Sequence, residues 1–309
     1  MTAPRGVLAI VGATATGKSA LAVETALRLG GEVISADAFT AYRGIDAGTA
    51  KPTLEERRGV PHHLIDLKEP TEPFSAGEFA RLAREAAREI LSRGRLPILC
   101  GGTGFYVRAF FEGLFVGPPR DERLREALRL VEARRGAPWL VRALTLLDPE
   151  SGARISLRDG ARAIRYLEIA VSTGRRPSDL FRERPGERWD GPSVKLLLTL
   201  PRPVLYGRIE RRFRDSIMAP LAGEVRRLLE AGVPVSAPGM AAIGYRETAA
   251  LLEGLLSPPD WADTVIRQTR RYAKRQETWF RSEPDFFSIR ADAPDLLEEV
   301  VSAARPLFS

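Results

Sequence analysis

Eight consecutive residues, Gly12-Ala13-Thr14-Ala15-Thr16-Gly17-Lys18-Ser19, carry the sharpest chemistry in the sequence. Two glycines separated by four residues and followed by Lys and Ser fit the phosphate-loop pattern. Backbone N–H groups of such a loop, with the positive end of the helix that follows, converge where a pair of phosphates can sit. Lys18 adds a mobile positive charge, and the Ser19 hydroxyl is suited to hold Mg²⁺. Asp37 ends the stretch Ile34-Ser35-Ala36-Asp37. It could be a metal ligand or a general base, or only a turn or helix-capping residue. Gly101-Gly102-Thr103-Gly104 offers two adjacent glycines, which let a backbone or ligand come close, and one hydroxyl at Thr103. A plain strand-to-helix turn would look the same. The apolar run before that turn does not end in an acid, whereas phosphate-loop hydrolases usually hold Mg²⁺ with an Asp there. Asp37 and Asp66 are the nearest candidates, so the loop reads as one used without conventional nucleotide hydrolysis.

Residues 264–281 form a basic, aromatic helical pattern, with Arg267, Arg270, Arg271, Lys274, Arg275 and Arg281 against Glu277. Tyr272 and Trp279 share a face, which reads as core packing, and the basic side is left for phosphates or solvent. Arg154, Arg158, Arg162 and Arg165 would make one cationic stripe if they lay on a continuous helix.

An α/β fold is what brings these groups together. Residues 7–11, 32–35, 63–66, 96–100 and 194–200 read as short, mostly apolar strands, with helix-period segments such as 19–29 and 76–93 between several of them. The alternation predicts a phosphate-loop type of parallel sheet with helices on both faces. Ligands collect at the carboxyl ends of such strands, so the segments after Val11, Ser35, Asp66 and Cys100 should face one crevice. From 117 to 192 strand-like runs vanish and charged helical patterns at 121–135 and 159–171 take over. This predicts an all-helical insertion domain, 117–192, within a core built from 1–116 and 193–309. Further helical patterns follow at 204–213, 221–231, 245–256 and 261–280.

Composition sets the outer limits. A chain of 309 residues can bury a large core. No apolar run reaches the ~18–20 residues of a membrane span, and too few residues precede the first strand for a signal peptide. Cys100 is the only cysteine, so no disulfide forms within the chain, which suits the cytosol. With His62 and His63 as the only histidines, a structural zinc site is not expected. The net charge of +7 suits a nucleic acid or another polyanion. Only Lys18, Lys51, Lys68, Lys195 and Lys274 of the 47 basic residues are lysine, a skew that a GC-rich genome would also produce.

Several stretches together resemble one family, the bacterial tRNA dimethylallyltransferases (tRNA isopentenyltransferases). They are residues 12–19, Ile34-Ser35-Ala36-Asp37, Tyr42-Arg43-Gly44, Gly48-Thr49-Ala50-Lys51-Pro52, Pro61-His62-His63-Leu64-Ile65-Asp66 and Gly101-Gly102-Thr103-Gly104. Ala242-Ile243-Gly244-Tyr245-Arg246-Glu247 and residues 272–281 complete the series in family order. The phosphate loop is widely shared, whereas Gly-Thr-Ala-Lys-Pro and the final Ala-Lys-Arg-Gln…Thr-Trp-Phe-Arg are selective. The resemblance implies transfer of a dimethylallyl group from dimethylallyl diphosphate to N6 of adenosine 37 in tRNA, with Mg²⁺ assisting and diphosphate leaving. It implies Asp37 as the base, Thr103 as a holder of the amine and the acid, and Arg208, in Leu205-Tyr206-x-Arg208-Ile209, as a diphosphate residue beside the loop. It implies anticodon stem-loop contacts from Asp37, Ala38, Phe39, Thr40, Thr103, Arg125, the stretch Ala161, Arg162, Ala163, Ile164 and Arg165, and the stretch Ala241, Ala242, Ile243, Gly244, Tyr245 and Arg246. A cytoplasmic monomer without membrane contact is expected. One departure stands out: the family usually places Ser, a variable residue and Gln after the acid. Ala38, Phe39 and Thr40 stand here, removing an amide that could hydrogen-bond a base edge.

Two other classes remain open on the residues alone. A small-molecule phosphate-loop kinase accounts for the loop and the sheet but not for the basic final helix or the insertion. An RNA-binding module with a purely structural loop predicts salt-sensitive tRNA binding and no turnover with any diphosphate.

Overall fold

The computed structural model describes residues 3–115, 117–183 and 186–308. Six strands, β1 (Val7–Gly12), β2 (Gly31–Ser35), β3 (His62–His63), β4 (Leu96–Gly101), β5 (Ser193–Thr199) and β6 (Phe287–Arg290), form one sheet in the order β3-β2-β4-β1-β5-β6. Every neighbouring pair is parallel. β1 and β4 are buried along their whole length, so both read as unbroken apolar runs rather than alternating ones. The register sets Ile10 opposite Cys100 and Leu196, and Ser35 opposite Cys100. The carboxyl ends of β1, β2 and β4 are therefore level, and the segments that leave them share one edge of the sheet.

Helices flank this sheet. Lys18–Leu29 buries Leu21, Ala22, Val23 and Ala26 in a cluster with Leu8, Ile98, Leu196 and residues of the helix Leu296–Ala304. Ala76–Ser92 is capped by Ser75 and buries Phe79, Ala83, Ala87 and Ile90 at helical spacing, packing on β2 and β4. The helix Arg202–Arg212 runs into a π-helical turn, Phe213–Ile217, and then into Met218–Glu230. With Tyr245–Leu252 and the long helix Pro258–Arg281, these segments enclose a second apolar cluster around Tyr42, Ile45, Leu221, Tyr245 and Trp261.

The chain divides into two compact units. One holds the sheet and runs up to Phe111, resuming at Trp189; the other is Glu112–Arg188. Among its described residues the second unit is helical, with Glu122–Arg135, Ala137–Leu147 and Gly160–Thr173 packed around Leu140, Val141, Leu144, Ile164 and Leu167. Among the described residues no helix is long and apolar enough to cross a membrane.

Three expectations change. β3 is only His62–His63, because Leu64 and Asp66 turn left-handed at φ 63° and 55° and break the extended run. β6 carries no apolar signal, since it is a largely exposed edge strand. The four arginines from 154 to 165 do not share a helix. Pro149–Ala153 ends before Arg154, and a new helix begins at Gly160, with the Asp159 carboxylate accepting the Arg162 N–H.

Candidate active site

The phosphate loop bridges β1 and Lys18–Leu29. Gly17 sits at φ 93°, a left-handed backbone that favours glycine. The Ala13 carbonyl accepts from Thr16 Oγ1 at 2.9 Å and from Lys18 Nζ at 3.2 Å. Burial lowers the Lys18 pKa; the nearby Cys100 and Asp37 oppose the shift and Arg212 adds to it. Two further elements hold the loop. From Arg202–Arg212, Arg208 Nη1 donates to the Thr16 carbonyl at 3.4 Å and Arg212 Nη2 to Thr14 Oγ1 at 2.8 Å. From Pro258–Arg281, buried Gln276 accepts the Thr14 N–H at 2.9 Å and donates to the Gly102 carbonyl at 2.8 Å.

That last bond explains the paired glycines after β4. A Cβ at Gly102 would stand 2.2 Å from Gln276 Nε2, and one at Gly101 would stand 2.1 Å from the Ala36 carbonyl oxygen. The turn is thus pressed against both β2's exit and the long helix. Thr103 follows, donating its N–H to Ala36 O at 3.3 Å and accepting the Ala38 N–H on Oγ1 at 3.2 Å. The Tyr272 hydroxyl hydrogen-bonds the Thr103 and Gln276 side chains, and burial, then the Asp37 charge, keep it protonated by raising its pKa. Asp37 itself is half-buried and accepts the Phe39 N–H on Oδ1 at 2.9 Å. It therefore shapes its own turn as well as bordering the cavity below.

A cavity of about 270 Å³ opens among these groups. Thr14, Lys18, Ser19, Asp37, Arg212 and Tyr272 line it with polar atoms, and Phe39, Ile65, Ile209, Phe213, Ile217 and Ile243 line it with apolar ones. At the end of β4, where a hydrolase would carry an acid, stands Cys100, whose thiol burial pushes up to about 11. Its Sγ donates to the Lys18 carbonyl at 3.6 Å. Among the described residues no three His, Cys, Asp or Glu side chains converge as a metal cage. The donor set suits Mg²⁺ nonetheless, because that ion commonly takes one or two protein groups plus substrate phosphates and water; the Ser19 hydroxyl and the Asp37 carboxylate border the same space.

The remaining expected contact residues divide sharply. Ala38 and Phe39 are half-buried beside the cavity; Thr40 is buried, its hydroxyl 2.9 Å from Ser35 Oγ. Ala241, Ala242 and Ile243 line the cavity and Arg246 is exposed. Gly244 and Tyr245 are buried. Tyr245 donates its hydroxyl to Glu224 and accepts the Gly48 N–H, while Glu224 accepts the Asp46 and Ala47 N–H groups at 2.9 Å each. This buried network shapes the loop carrying Gly48-Thr49-Ala50-Lys51-Pro52, where Lys51 Nζ bonds the Tyr42 carbonyl at 2.6 Å and Asp66 at 2.5 Å. In the Glu112–Arg188 unit, Ala161 and Arg162 are exposed, whereas Ala163 and Ile164 belong to the core. Arg125 and Arg165 are committed to buried Glu168, with N···O distances of 2.9 and 2.7 Å.

Tyr272 also moves, from expected core to cavity wall. Trp279 packs so tightly over Gly104 that a Cβ there would lie 2.1 Å from its ring, and the Arg108 guanidinium stacks 4.4 Å from the ring centroid. Arg212, Tyr272 and Gln276 are cavity residues to which the sequence reading gave no role at the site. For Arg212 a signal existed: it lies one helical turn beyond Arg208.

The model of the IPP transferase family matches residues 40–283. The chain is 46% identical over 280 residues to a Trichlorobacter lovleyi protein named tRNA dimethylallyltransferase 1, covering 90% of this chain and 91% of that one. It resembles the crystal structure of a Bacillus halodurans tRNA isopentenylpyrophosphate transferase with a TM-score of 0.72 and 39% identity, over 98% of this chain and 97% of the other. A eukaryotic dimethylallyltransferase described as acting on tRNA is similar with a TM-score of 0.78 and 26% identity, over 93% of this chain and 74% of that one.

Proposed function

The chain belongs to the IPP transferase family, and from that premise we propose that it transfers a dimethylallyl group from dimethylallyl diphosphate to N6 of adenosine 37 beside the tRNA anticodon. One observation carries the reading: Lys18 and Ser19 of the anion cradle, the Asp37 carboxylate and a set of apolar walls border a single cavity. The apolar walls suit a five-carbon chain with no polar atom, and the cradle suits its diphosphate.

An exocyclic adenine amine is a poor nucleophile. Asp37 accepts its proton as the bond from N6 to the allylic carbon forms and the carbon–oxygen bond to diphosphate breaks, the electron pair leaving with diphosphate. Thr103, braced by Ala36 and Tyr272, holds the amine against Asp37. Loop amides, Lys18 and Arg208 meet the charge that grows on the leaving group. The Ser19 hydroxyl would hold Mg²⁺, which would supply further screening of that charge. A paired base cannot enter such a cavity, so the target adenine is splayed from its loop. The exposed members of the expected contact set, Ala161, Arg162, Ala241 and Arg246, are assigned to the anticodon stem-loop. The protein is expected to work in the cytoplasm as a monomer.

The test is to mix the pure protein with dimethylallyl diphosphate, Mg²⁺ and unmodified tRNA, then digest the tRNA and weigh the nucleosides. An adenosine heavier by one five-carbon unit is expected. Its absence, or phosphoryl transfer from ATP to an acceptor in its place, overturns the proposal.

A further inference from the structure

Two segments that the sequence singles out, Gly48-Thr49-Ala50-Lys51-Pro52 and Pro61-His62-His63-Leu64-Ile65-Asp66, take no part in the anion cradle or the proton transfer. In the fold they are fastened to each other at Lys51. Its side chain is only 4% exposed, and its Nζ donates to the Tyr42 carbonyl at 2.6 Å, to Asp66 Oδ1 at 2.5 Å and to Asp46 Oδ1 at 2.5 Å. An ammonium has three N–H groups, so these partners use all of them. The seam continues through the Asp66 N–H, donated to the Thr40 carbonyl at 3.2 Å, and the Leu67 and Lys68 N–H groups, donated to the Ala41 carbonyl. Around this pin Ala50, Leu64 and Asp66 take left-handed φ of 50°, 63° and 55°. Residues with a Cβ hold that conformation only where their surroundings impose it, and such positions cluster at functional sites.

The face that the two segments turn to the cavity comprises Gly48, Thr49, Ala50, Pro52, His62 and Ile65, with Lys51 behind it. Polar groups of this face are engaged elsewhere. The Gly48 N–H meets the Tyr245 hydroxyl at 3.3 Å, the Thr49 hydroxyl donates to the Ile45 carbonyl at 2.8 Å, and His62 Nδ1 lies 2.8 Å from the Val60 carbonyl. What remains is largely carbon, which suits a hydrocarbon better than a phosphate or a base edge. The place of this face in the sheet agrees. The phosphate loop leaves β1, whereas the first segment follows β2 and the second carries β3; the order β3-β2-β4-β1 puts the exits of β4 and β2 between them. A chain anchored by its diphosphate at the loop and laid across Cys100, Gly101 and Ser35 would end against this wall. We propose that the wall sets the length of the isoprenoid chain, and that Lys51 is the positioning residue that holds it, touching neither chain nor phosphate. The inference rests on reading the cavity as a site for an allylic diphosphate.

The probes are inorganic pyrophosphate, dimethylallyl diphosphate and its ten-carbon homologue geranyl diphosphate, each titrated with Mg²⁺ into the full-length protein by calorimetry without tRNA. The parent is expected to bind the five-carbon compound at least tenfold more tightly than the ten-carbon one. Lys51→Met keeps the reach of the side chain and removes its three hydrogen bonds. The preference should shrink to threefold or less, with pyrophosphate binding within twofold of the parent. Asp66→Asn, whose side chain tolerates the left-handed backbone, should shrink the preference by more than twofold. Glu168→Ala, loosened in the other unit, should keep the parent's preference, since lost stability alone does not choose between chains. A preference in Lys51→Met within twofold of the parent's overturns the inference, as does a parent that binds both chains alike or an equal loss in Glu168→Ala. If Lys51→Met does not fold, Asp66→Asn decides by the same criterion. Selective binding that depends on Lys51, with no prenylated adenosine once tRNA is added, would overturn the proposed transfer and leave the wall standing. Prenylated adenosine with a chain preference indifferent to Lys51 would do the reverse.

Discussion

Arginines in the two compact units meet opposite fates. In the Glu112–Arg188 unit, Arg125 and Arg165 converge on Glu168, which is fully buried. Burial pushes that carboxyl up, but hydrogen bonds from Arg125, Arg165 and the Asp121 N–H outweigh it and hold the group at about 2. Both guanidiniums are engaged by that one carboxylate, which offsets part of their charge inside the unit. Around the phosphate loop, Lys18, Arg208 and Arg212 end instead on Ala13 O, Thr16 O and Thr14 Oγ1. Neutral oxygens satisfy some N–H groups there without cancelling the charge. An arginine count cannot separate these cases; the presence or absence of a buried carboxylate does. Where cations are gathered and left unneutralised, an anion is the missing component.

Asp37 offers the strongest way to break this contrast, because it is the acid that borders the same cavity and yet serves its own turn. Asp37→Asn keeps a side-chain oxygen for the Phe39 N–H but cannot take a proton. The rate of prenyl transfer at saturation should fall by about 10²–10⁴, while tRNA affinity changes little, since a base acts mainly in the transition state. Single-turnover kinetics with a separate tRNA-binding measurement reads both. A parent-like rate would reduce Asp37 to a turn residue and leave the cradle without its chemical partner.

Glu168 tests the other half. Glu168→Ala strands two arginines in the helical unit and should cost about 3–5 kcal/mol of stability, the usual loss when one member of a buried pair is removed; chemical denaturation reads it. The pH dependence follows from the same group. Its pKa is depressed on folding from the ordinary glutamate value of about 4.5 to about 2. The stability it contributes is therefore present above about pH 4.5 and is lost as pH falls toward 2. Glu168→Gln should flatten that acid limb. An unchanged limb would mean that the two arginines are not what holds the carboxylate ionised.

Much of this organisation is legible in the sequence, for physical reasons that differ from place to place. β1 and β4 are buried on both faces, so burial wrote itself into their composition. β6 is an exposed edge and left no such trace. The phosphate loop was readable because its chemistry is local: eight neighbours in sequence make one anion site. Gln276 was not, because its partner Thr14 lies 262 positions away and nothing in a mid-helix amide announces that contact. Within one stretch, Arg162 and Arg165 look alike in sequence, yet only Arg165 ion-pairs with buried Glu168. Whether a charge is spent or free depends on three-dimensional neighbours, which spacing alone does not encode.

Arg162 gives the smallest and most discriminating effect. It is exposed and, among the described residues, its one ion pair is with Asp159, at 3.3 Å. Such surface pairs contribute about 0–1 kcal/mol, so folding does not depend on it. Arg162→Glu places a carboxylate in the first turn of Gly160–Thr173, where the helix dipole favours it. The fold should persist, and any change in binding then reports on tRNA alone. Affinity is expected to fall by roughly threefold to tenfold, and the slope of log K against log salt to flatten by about one, as one phosphate contact is lost. Filter binding across a salt series measures both. If neither moves, exposed arginines of this unit are solvated surface. The contrast between the units would then narrow to a stricter rule: a cation points to an anionic ligand only when it pairs with no carboxylate and keeps a buried donor, as half-buried Arg212 does at Nε, and not merely when it is unneutralised in the open.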